Sequence, residues 1–366
     1  MRRVLAISPI PEEGAGCRFR IAQFVPYLKT VGYDVEISPF FSSEFFQLVY
    51  RPGHYLQKTR AFAALALKRL QSIRHIERYD LIFLYREAFP IGPAWIEQWL
   101  SRPGCPPIVY DFDDAVFLPN VSEANRMISS LKYPQKIPSI VRASTHVVAG
   151  NDFLAEFARR YNSSVETIPT CVDTDRFAPR ANAVPSDPLT VGWIGSPTTG
   201  TYLQMLSPVF EQVFARTPFQ VKVSGASADV RFGRVPTRNV PWSLADEVAL
   251  FNTCDIGVYP LTDDEWSRGK CGFKAIQFMA CGVPVVASAV GVNREIIDDG
   301  VNGFLASTEE EWVTKVSRLI EDRRLRARFA AAGRKTIEER YSLHVNAPKL
   351  ASVLERAARG AGESAA

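Results

Sequence analysis

The chain has 366 residues, 46% of them hydrophobic, and this length predicts two globular domains of about 150 to 200 residues each. Lys and Arg number 43 against 39 Asp and Glu, so the formal charge is only +4, and no long basic run indicates a nucleic-acid partner. No window approaches the ~20 apolar residues of a membrane span, and a short strand follows Met1 in place of a signal peptide, so we expect a cytoplasmic protein.

The first half of the chain alternates short apolar segments with helical patterns, which is typical of a doubly wound parallel sheet in the α/β class. A polar, proline-rich stretch over 178–188 then interrupts the alternation and predicts an interdomain linker. The strands predicted before it are 4–7, 35–37, 81–85, 108–110, 146–149 and 165–168, and those after it are 189–194, 221–224, 255–258 and 283–287.

These patterns predict one Rossmann-like domain over 1–180 and a second over 181–342. Residues 309–341 have helical periodicity, and 345–358 form a predicted final helix. The segment 343–366 is therefore expected to be a C-terminal helix with a frayed tail, which could pack back on the first domain.

The loop after the first predicted strand carries Gly14 and Gly16, with Arg18 and Arg20 opening the next helix. Ligands of open parallel sheets bind at the carboxyl ends of the strands, so this loop is a candidate site. It is not a G-x-G-x-x-G sequence, and a flexible loop before a solvated helix fits the residues equally well.

Three carboxylates, Asp111, Asp113 and Asp114, follow the predicted strand 108–110. Crowding of this kind raises at least one pKa if the loop is buried. Two other interpretations stay open: the acids could cap a helix and face solvent, or Asp-x-Asp could hold a divalent ion that carries a nucleotide diphosphate. Elsewhere, the six cysteines and four histidines have no spacing that predicts a disulfide framework or a zinc site.

A second candidate loop, V-G-W-I-G-S-P-T-T-G, opens the second half of the chain. Backbone amides near Gly195 and the hydroxyls of Ser196, Thr198 and Thr199 could face a phosphate there. No lysine follows in P-loop spacing, so ATP hydrolysis is not predicted. Further on, Trp242 precedes a predicted helix and could offer an aromatic edge to a flat base, although a core tryptophan fits as well.

The segment 268–284 predicts an anion site at a helix N-terminus. Lys274 falls in the first helical turn, where the macrodipole disfavours a cation unless an anion lies between it and the free amides. A phosphate at Gly272 and Phe273 would supply that anion, and Gln277, one turn further on, could bind a neighbouring hydroxyl. An ordinary helix with solvated lysines is the alternative.

Three motifs resemble the retaining glycosyltransferases of GT-B fold related to glycogen synthases and bacterial mannosyl- and glucosyltransferases, the glycosyl transferases of group 1. They are I-P-T-C-V-D-T-D-R-F over 168–177, F-K-A-I-Q-F-M-A-C-G-V-P-V-V-A-S over 273–288 and V-G-V-N-R-E-I-I-D-D-G-V-N-G-F-L over 290–305. The resemblance covers nearly the whole chain.

The resemblance implies two Rossmann-like domains facing across a cleft, with a nucleotide-diphosphate sugar in the second domain and the acceptor, a glycan, a lipid-linked or a small molecule, in the first. It also implies metal-independent transfer with retention and no cofactor beyond the donor. The residues it brings to the diphosphate are Lys270, Lys274, Gly272 and Phe273, with Gln277 for the ribose, Trp242 for the base, Glu295 near the donor, Asp113 or Asp111 for the acceptor, and Gly14, Gly16 and Arg18 on the acceptor side.

The chain departs from the family pattern at several of these positions. Relatives carry two glutamates where Gly269 and Gln277 stand, and an arginine and a lysine where this chain has Trp193 and a threonine. The departures leave two alternatives to transfer: a catalytically inactive homologue that binds nucleotide sugars or glycans, and a GT-B nucleotide-sugar epimerase.

A basic segment over 51–78 carries seven Lys and Arg against one acid, Glu77. Its apolar residues recur at helical spacing, as in helices that lie on a membrane surface, although such a stripe could equally pack on the domain core. We therefore expect either core packing or a peripheral contact at the inner face of the membrane. The stripe consists of Ala63, Ala66, Leu67, Leu70 and Ile73.

Overall fold

The computed structural model describes residues 1–49, 51, 53–119, 133–181, 185–226 and 229–363. They form two six-stranded sheets, and every strand pair in them is parallel. The chain divides into unit 1, Met1–Thr170 with Asn346–Ala366, and unit 2, Cys171–Val345. The doubly wound parallel architecture predicted from the sequence is confirmed.

Unit 1 has the strand order β2-β1-β3-β4-β5-β6. Its central strands are buried on both faces, as the continuous apolar runs of parallel strands require. The elements in chain order are β1 (Arg2–Ser8), α1 (Ala15–Arg20), α2 (Val25–Thr30), β2 (Tyr33–Pro39), α3 (Ser43–Val49), α4 (Tyr55–Ile73), β3 (Leu81–Tyr85), α5 (Trp95–Leu100), β4 (Ile108–Phe112), α6 (Ile137–Ala143), β5 (His146–Ala149), α7 (Asp152–Arg159) and β6 (Val165–Thr167).

Unit 2 has the strand order β12-β11-β10-β7-β8-β9. The elements are β7 (Thr190–Ile194), α8 (Gly200–Leu203), α9 (Ser207–Phe214), β8 (Gln220–Ser224), β9 (Thr237–Val240), α10 (Glu247–Asn252), β10 (Ile256–Tyr259), α11 (Glu265–Arg268), α12 (Phe273–Ala280), β11 (Val285–Ser288), α13 (Asn293–Ile296), β12 (Phe304–Ala306), α14 (Glu309–Glu321) and α15 (Arg323–Thr336). A final helix, α16 (Leu343–Glu363), begins in unit 2 and continues into unit 1.

Three elements differ from the sequence expectation. The long helical pattern over 309–341 is interrupted at Asp322, whose extended backbone ends α14 and whose side chain caps α15 through the Leu325 amide. The edge strand β9 reads T-R-N-V and has too little apolar character to be predicted. Strand β12 is only three residues long.

The final helix is held to unit 1 by charged and apolar contacts. Glu355 accepts hydrogen bonds from Arg2 and from the Tyr33 hydroxyl, the latter at 3.1 Å. Leu350 and Leu354 are buried and line a small apolar cavity beside Val4. The helix therefore completes the core next to β1 and β2.

Two glycines seat helix α12 against the sheet of unit 2. Gly192 of β7 and Gly257 of β10 are directly paired, and both lie beneath the buried ring of Phe278. A Cβ on Gly257 would lie 2.6 Å from Cγ of that ring, and one on Gly192 would lie 2.2 Å from Sγ of Cys254. The missing side chains let the helix approach the strands closely.

We predict that Gly257→Ala lowers the free energy of unfolding by about 1 to 3 kcal/mol, because the methyl group overlaps a buried ring that has little room to shift. Gly200→Ala is the matched control, since its Cβ would lie 3.7 Å from Cβ of Ala226, an ordinary contact. Urea denaturation of both variants measures the difference, and equal midpoints would show that the helix can move away from the sheet without cost.

Candidate functional site

The N-terminus of α12 is shaped by Gly272. Its backbone is left-handed, with φ of +63°, and a Cβ there would lie 2.3 Å from Cδ1 of Ile296 and 3.1 Å from Oδ1 of Asn293. A side chain at this position is therefore excluded by both conformation and space. Gly272 has no side chain to cover the backbone N–H groups of the first helical turn. The macrodipole favours an anion at this end of the helix.

Lys274 lies in the first turn of this helix, as predicted, and is fixed by a chain of hydrogen bonds. Its Nζ donates to Oε1 of Gln277 at 2.7 Å. Nε2 of Gln277 is 3.4 Å from Oε1 of Glu247, and Oε2 of Glu247 is 3.3 Å from Nη2 of Arg176. The chain links α12 to the start of α10 and to the segment that precedes β7.

Gln277 lies one turn after Lys274 on α12. Its side chain is fully buried, and its oxygen and nitrogen are engaged by Lys274 and Glu247. The ribose contact assigned to Gln277 from the sequence stays a prediction.

Both lysines of the motif lie against aromatic rings. Nζ of Lys270 is 5.5 Å from the ring centroid of Trp266, and Nζ of Lys274 is 5.5 Å from that of Phe251. Ring faces attract cations by about 0.5 to 1 kcal/mol at partly exposed sites. The rings therefore restrain two positive charges near the N-terminus of α12.

The loop after β7 lies at the same edge of the sheet, because β7 and β10 are neighbouring parallel strands. Ser196 and Thr198 are exposed and Thr199 is half-buried, and their hydroxyls are hydrogen-bonded to one another. Oγ of Ser196 lies 2.9 Å from Oγ1 of Thr198 and 3.2 Å from that of Thr199. Gly195 leads into the loop and donates its amide to Ser224 at 3.0 Å. Sequence and structure thus bring this loop and α12 to one edge.

Trp242 and Glu295 follow other strands of that sheet. Trp242 comes after the edge strand β9 and is half-buried, and the helix expected from Leu244 begins instead at Glu247. Glu295 is exposed on α13, after β11, and its carbonyl accepts a hydrogen bond from Arg340 at 3.1 Å. Both roles assigned to these residues from the sequence stay predictions.

In unit 1, Asp111 lies inside strand β4 and not in the loop after it. It is 1% exposed and accepts a bidentate pair of hydrogen bonds from Arg20, one of them at 2.9 Å from Nε. Burial raises the pKa of Asp111 above its usual value, while Arg20 opposes that shift. Crowding, which we expected to be the cause, contributes less through Asp113. The acceptor contact assigned to Asp111 from the sequence stays a prediction.

Asp113 lies at the strand end and is only partly exposed. Its Oδ1 accepts hydrogen bonds from the Tyr85 hydroxyl at 2.8 Å and from Nε and Nη2 of Arg86 at 2.9 and 2.6 Å. Burial would raise the pKa of Asp113, but the positive charges of Arg86 and Arg20 and these hydrogen bonds outweigh it and lower the pKa below its ordinary value.

The sequence analysis did not identify Arg86 and Tyr85 as site residues. Both lie at the carboxyl end of β3, where ligands of open parallel sheets bind. Arg86 has a φ of +58°, which no sequence pattern predicted, and its guanidinium also pairs with Asp114. A Cβ on Gly16 would lie 2.1 Å from the Tyr85 hydroxyl. Gly16 and this cluster are therefore in close contact.

Arg18 is mostly buried and closes its own loop. Its Nη1 donates to the carbonyls of Glu12 and Glu13 at 3.2 and 3.1 Å, and Gly14 caps the following helix, α1. The Arg18 side chain therefore folds back onto the loop and does not lie on a solvated helix face. Among the residues that the structure describes, no group of three or more His, Cys, Asp or Glu could hold a metal ion.

Comparison with known proteins gives a family match in unit 2. The family described as Glycosyl transferases group 1 matches residues 202–322. A D-inositol 3-phosphate glycosyltransferase of Stackebrandtia nassauensis is 34% identical over 84 residues, 22% of this chain and 18% of that protein. One from Xylanimonas cellulosilytica is 42% identical over 65 residues, 17% of this chain and 16% of that protein. The matches span less than a fifth of these relatives.

Solved structures resemble the chain over nearly its full length. Sucrose-phosphate synthase from Thermosynechococcus elongatus superimposes with a TM-score of 0.73 at 15% identity, covering 97% of this chain and 99% of that one. Anabaena Alr3699/HepE in complex with UDP-glucose superimposes with a TM-score of 0.70 at 17% identity, covering 97% and 100%. The structural likeness establishes the GT-B fold, and residues 202–322 of this chain match the family described as Glycosyl transferases group 1.

Proposed function

We propose that the chain transfers a glycosyl group from a nucleotide-diphosphate sugar to an acceptor hydroxyl, with unit 2 binding the donor and unit 1 the acceptor. The observation that carries the proposal is Lys274, a cation held in the first turn of α12 beside the side-chain-free Gly272. A UDP-sugar is the first donor to test, because the UDP-glucose complex of Anabaena Alr3699/HepE shares the fold.

The donor diphosphate is proposed to lie at the N-terminus of α12. A cation and the positive end of a helix dipole repel each other, and a phosphate between them turns that repulsion into two attractions. The amides of Gly272 and Phe273 and the ammonium groups of Lys270 and Lys274 would bind its oxygens. The exposed hydroxyls of Ser196 and Thr198 lie at the same edge of the sheet and would extend the site.

Gln277 is proposed to position Lys274 and not to bind the ribose. A carboxylate at this position, as in the relatives, would neutralise the ammonium as well as orient it. The amide oxygen orients the ammonium without contributing a negative charge. The substitution is then compatible with a lysine that carries phosphate charge, and it does not require an inactive protein.

In the proposed reaction, the main task of the protein is to stabilise the negative charge that develops on the diphosphate leaving group. The bond between the anomeric carbon and the diphosphate oxygen breaks, the acceptor oxygen bonds to the same face, and its proton passes to a phosphate oxygen. Negative charge grows on the diphosphate in the transition state, where Lys270, Lys274 and the helix amides would stabilise it. Retention follows from attack on the face that the leaving group vacates.

On the acceptor side, Asp113 is the proposed contact. Its lowered pKa keeps it ionised at neutral pH, which suits a hydrogen-bond acceptor for a sugar hydroxyl better than a general base. Asp111 is reassigned to holding Arg20 and with it the end of α1. A glycan, a lipid-linked sugar or a small polyol would each fit such a contact.

We predict that Lys274→Ala weakens UDP binding by about tenfold to a hundredfold, since a charge-assisted contact with phosphate contributes roughly 1.5 to 3 kcal/mol. Lys335→Ala is the control, because Lys335 is exposed on α15 and pairs only weakly, at 3.8 Å, with Glu339. Titration calorimetry measures both affinities. Unchanged UDP binding by Lys274→Ala would move the phosphate site away from this lysine.

We predict that substitutions of Asp111 and Asp113 differ in their effect on the free energy of unfolding. Asp111→Asn leaves the buried Arg20 guanidinium without its carboxylate and should lower the free energy of unfolding by about 3 to 5 kcal/mol, whereas Asp113→Asn should lower turnover with a smaller loss of stability. The stability that ionised Asp113 contributes is present above about pH 4 and is lost as pH falls through its lower folded pKa. Urea denaturation of the parent and Asp113→Asn at descending pH should therefore converge, and a constant gap would contradict the lowered pKa.

Turnover distinguishes transfer from the two alternatives, and we predict release of nucleotide diphosphate with the glycosylated acceptor in the presence of EDTA, because lysines and helix amides carry the phosphate charge. Saturable binding without release would indicate the inactive homologue. Release with an epimerised free sugar and no acceptor product would indicate the epimerase. Loss of activity in EDTA that magnesium or manganese restores would instead favour Asp113 and Asp114 as metal ligands.

A further inference from the structure

We propose that the outward face of α4 in unit 1 binds the surface of a lipid bilayer that contains anionic lipids. No helix within the described residues is both long enough and apolar enough to cross a membrane. The proposal therefore concerns a helix lying on the surface. It does not depend on the proposed glycosyl transfer, because its measurement is binding to vesicles.

The inner face of α4 is fixed to the core of unit 1. The buried Arg69 donates to the carbonyl of Ser38 at 2.9 Å, to its hydroxyl at 2.8 Å and to the carbonyl of Ser8 at 3.1 Å. Phe62 packs against Phe40, with ring centroids 5.2 Å apart, and Ile73 is buried. These anchors determine which side of the helix faces solvent.

The outward face is apolar at its centre. Leu56, Leu67 and Leu70 are 65%, 62% and 52% exposed, and Ala63 lies between them in the same stripe. Positions 56, 63, 67 and 70 are spaced by seven, four and three residues, so they share one side of a helix. A single exposed leucine needs no explanation, whereas three on one stripe of a helix indicate a contact. Of the stripe predicted from the sequence, only Ile73 is buried.

The charge around these leucines is positive. Helix α4 contains no acidic residue, and Arg60, Lys68 and the adjoining Arg74 are exposed on it. Of the acids that flank α4 in the sequence, Glu44 on α3 interacts with Lys68, and Glu77 lies beyond the end of the helix. An apolar stripe flanked by basic side chains matches the acyl boundary and the anionic headgroups of a bilayer.

A second copy of the chain fits the same face poorly. Two helices paired through Leu56, Ala63, Leu67 and Leu70 would bring the basic side chains of one copy against those of the other, with no acid on α4 to oppose them. An anionic lipid surface meets the leucines and the basic side chains together. The charge complementarity therefore selects the lipid surface as the occupant.

Vesicle co-sedimentation of the full chain tests the proposal. We expect the parent to bind vesicles of phosphatidylcholine and phosphatidylglycerol at low salt, to bind phosphatidylcholine vesicles much less, and to dissociate as salt screens the charges. Leu67→Glu/Leu70→Glu should weaken binding at least tenfold. Arg60→Gln/Lys68→Gln should weaken it by about twenty-fivefold, from roughly fivefold for each basic side chain. Val301→Glu is the control, because Val301 is 52% exposed, like Leu70, but lies in unit 2.

Two results would overturn the proposal. The first is equal sedimentation of the parent and Leu67→Glu/Leu70→Glu, or no binding of the parent to the anionic vesicles. The second is a dimer in lipid-free solution, measured by light scattering, that Leu67→Glu/Leu70→Glu dissociates, which would assign the face to a second copy. Circular dichroism melting of each variant confirms that loss of binding is not loss of fold, since all the altered side chains are exposed.

Discussion

In a parallel sheet all strands end at one edge, and both units of this chain place their polar clusters by that constraint. In unit 2, the segments after β7 and β10 lie at the same edge of the sheet because those strands are neighbours. In unit 1, the ends of β3 and β4 bring Arg86 to Asp113 in the same way. Side chains far apart in sequence are thereby brought to the same edge of a sheet.

Buried polar groups support each cluster from the interior of its unit. Arg20 and Asp111 form a bidentate pair under the first loop, and Gln277 with Glu247 supports Lys274. Removing charges from water costs several kcal/mol unless they are paired and hydrogen-bonded. Such pairs contribute little net stability, but they restrict the exposed partner to one position, which a phosphate or hydroxyl contact requires.

Most of the sheet could be predicted from the sequence, because its strands are short apolar runs between turn residues. The site was predictable only in part. Lys274 and Gly272 follow from helix capping and the macrodipole, both local properties. Asp111 and Asp113 are two residues apart, and the sequence places both after the predicted strand. The strand ends two residues later than predicted, so Asp111 is buried within β4 whereas Asp113 lies beyond it and is partly exposed. Gln277 and Arg86 depend on partners distant in sequence and on a positive φ, neither of which leaves a local pattern.

The two units are not equivalent as folding problems. Unit 2 is one continuous stretch, Cys171–Val345, whereas unit 1 needs α16 to complete the surface beside β1 and β2. During synthesis from the N-terminus, the first residues of unit 1 emerge early but must wait for Leu350 and Leu354, while every residue of unit 2 is already available. The order of completion is thus the reverse of the order in the chain, and an apolar patch around Val4 stays uncovered until translation passes the last helix.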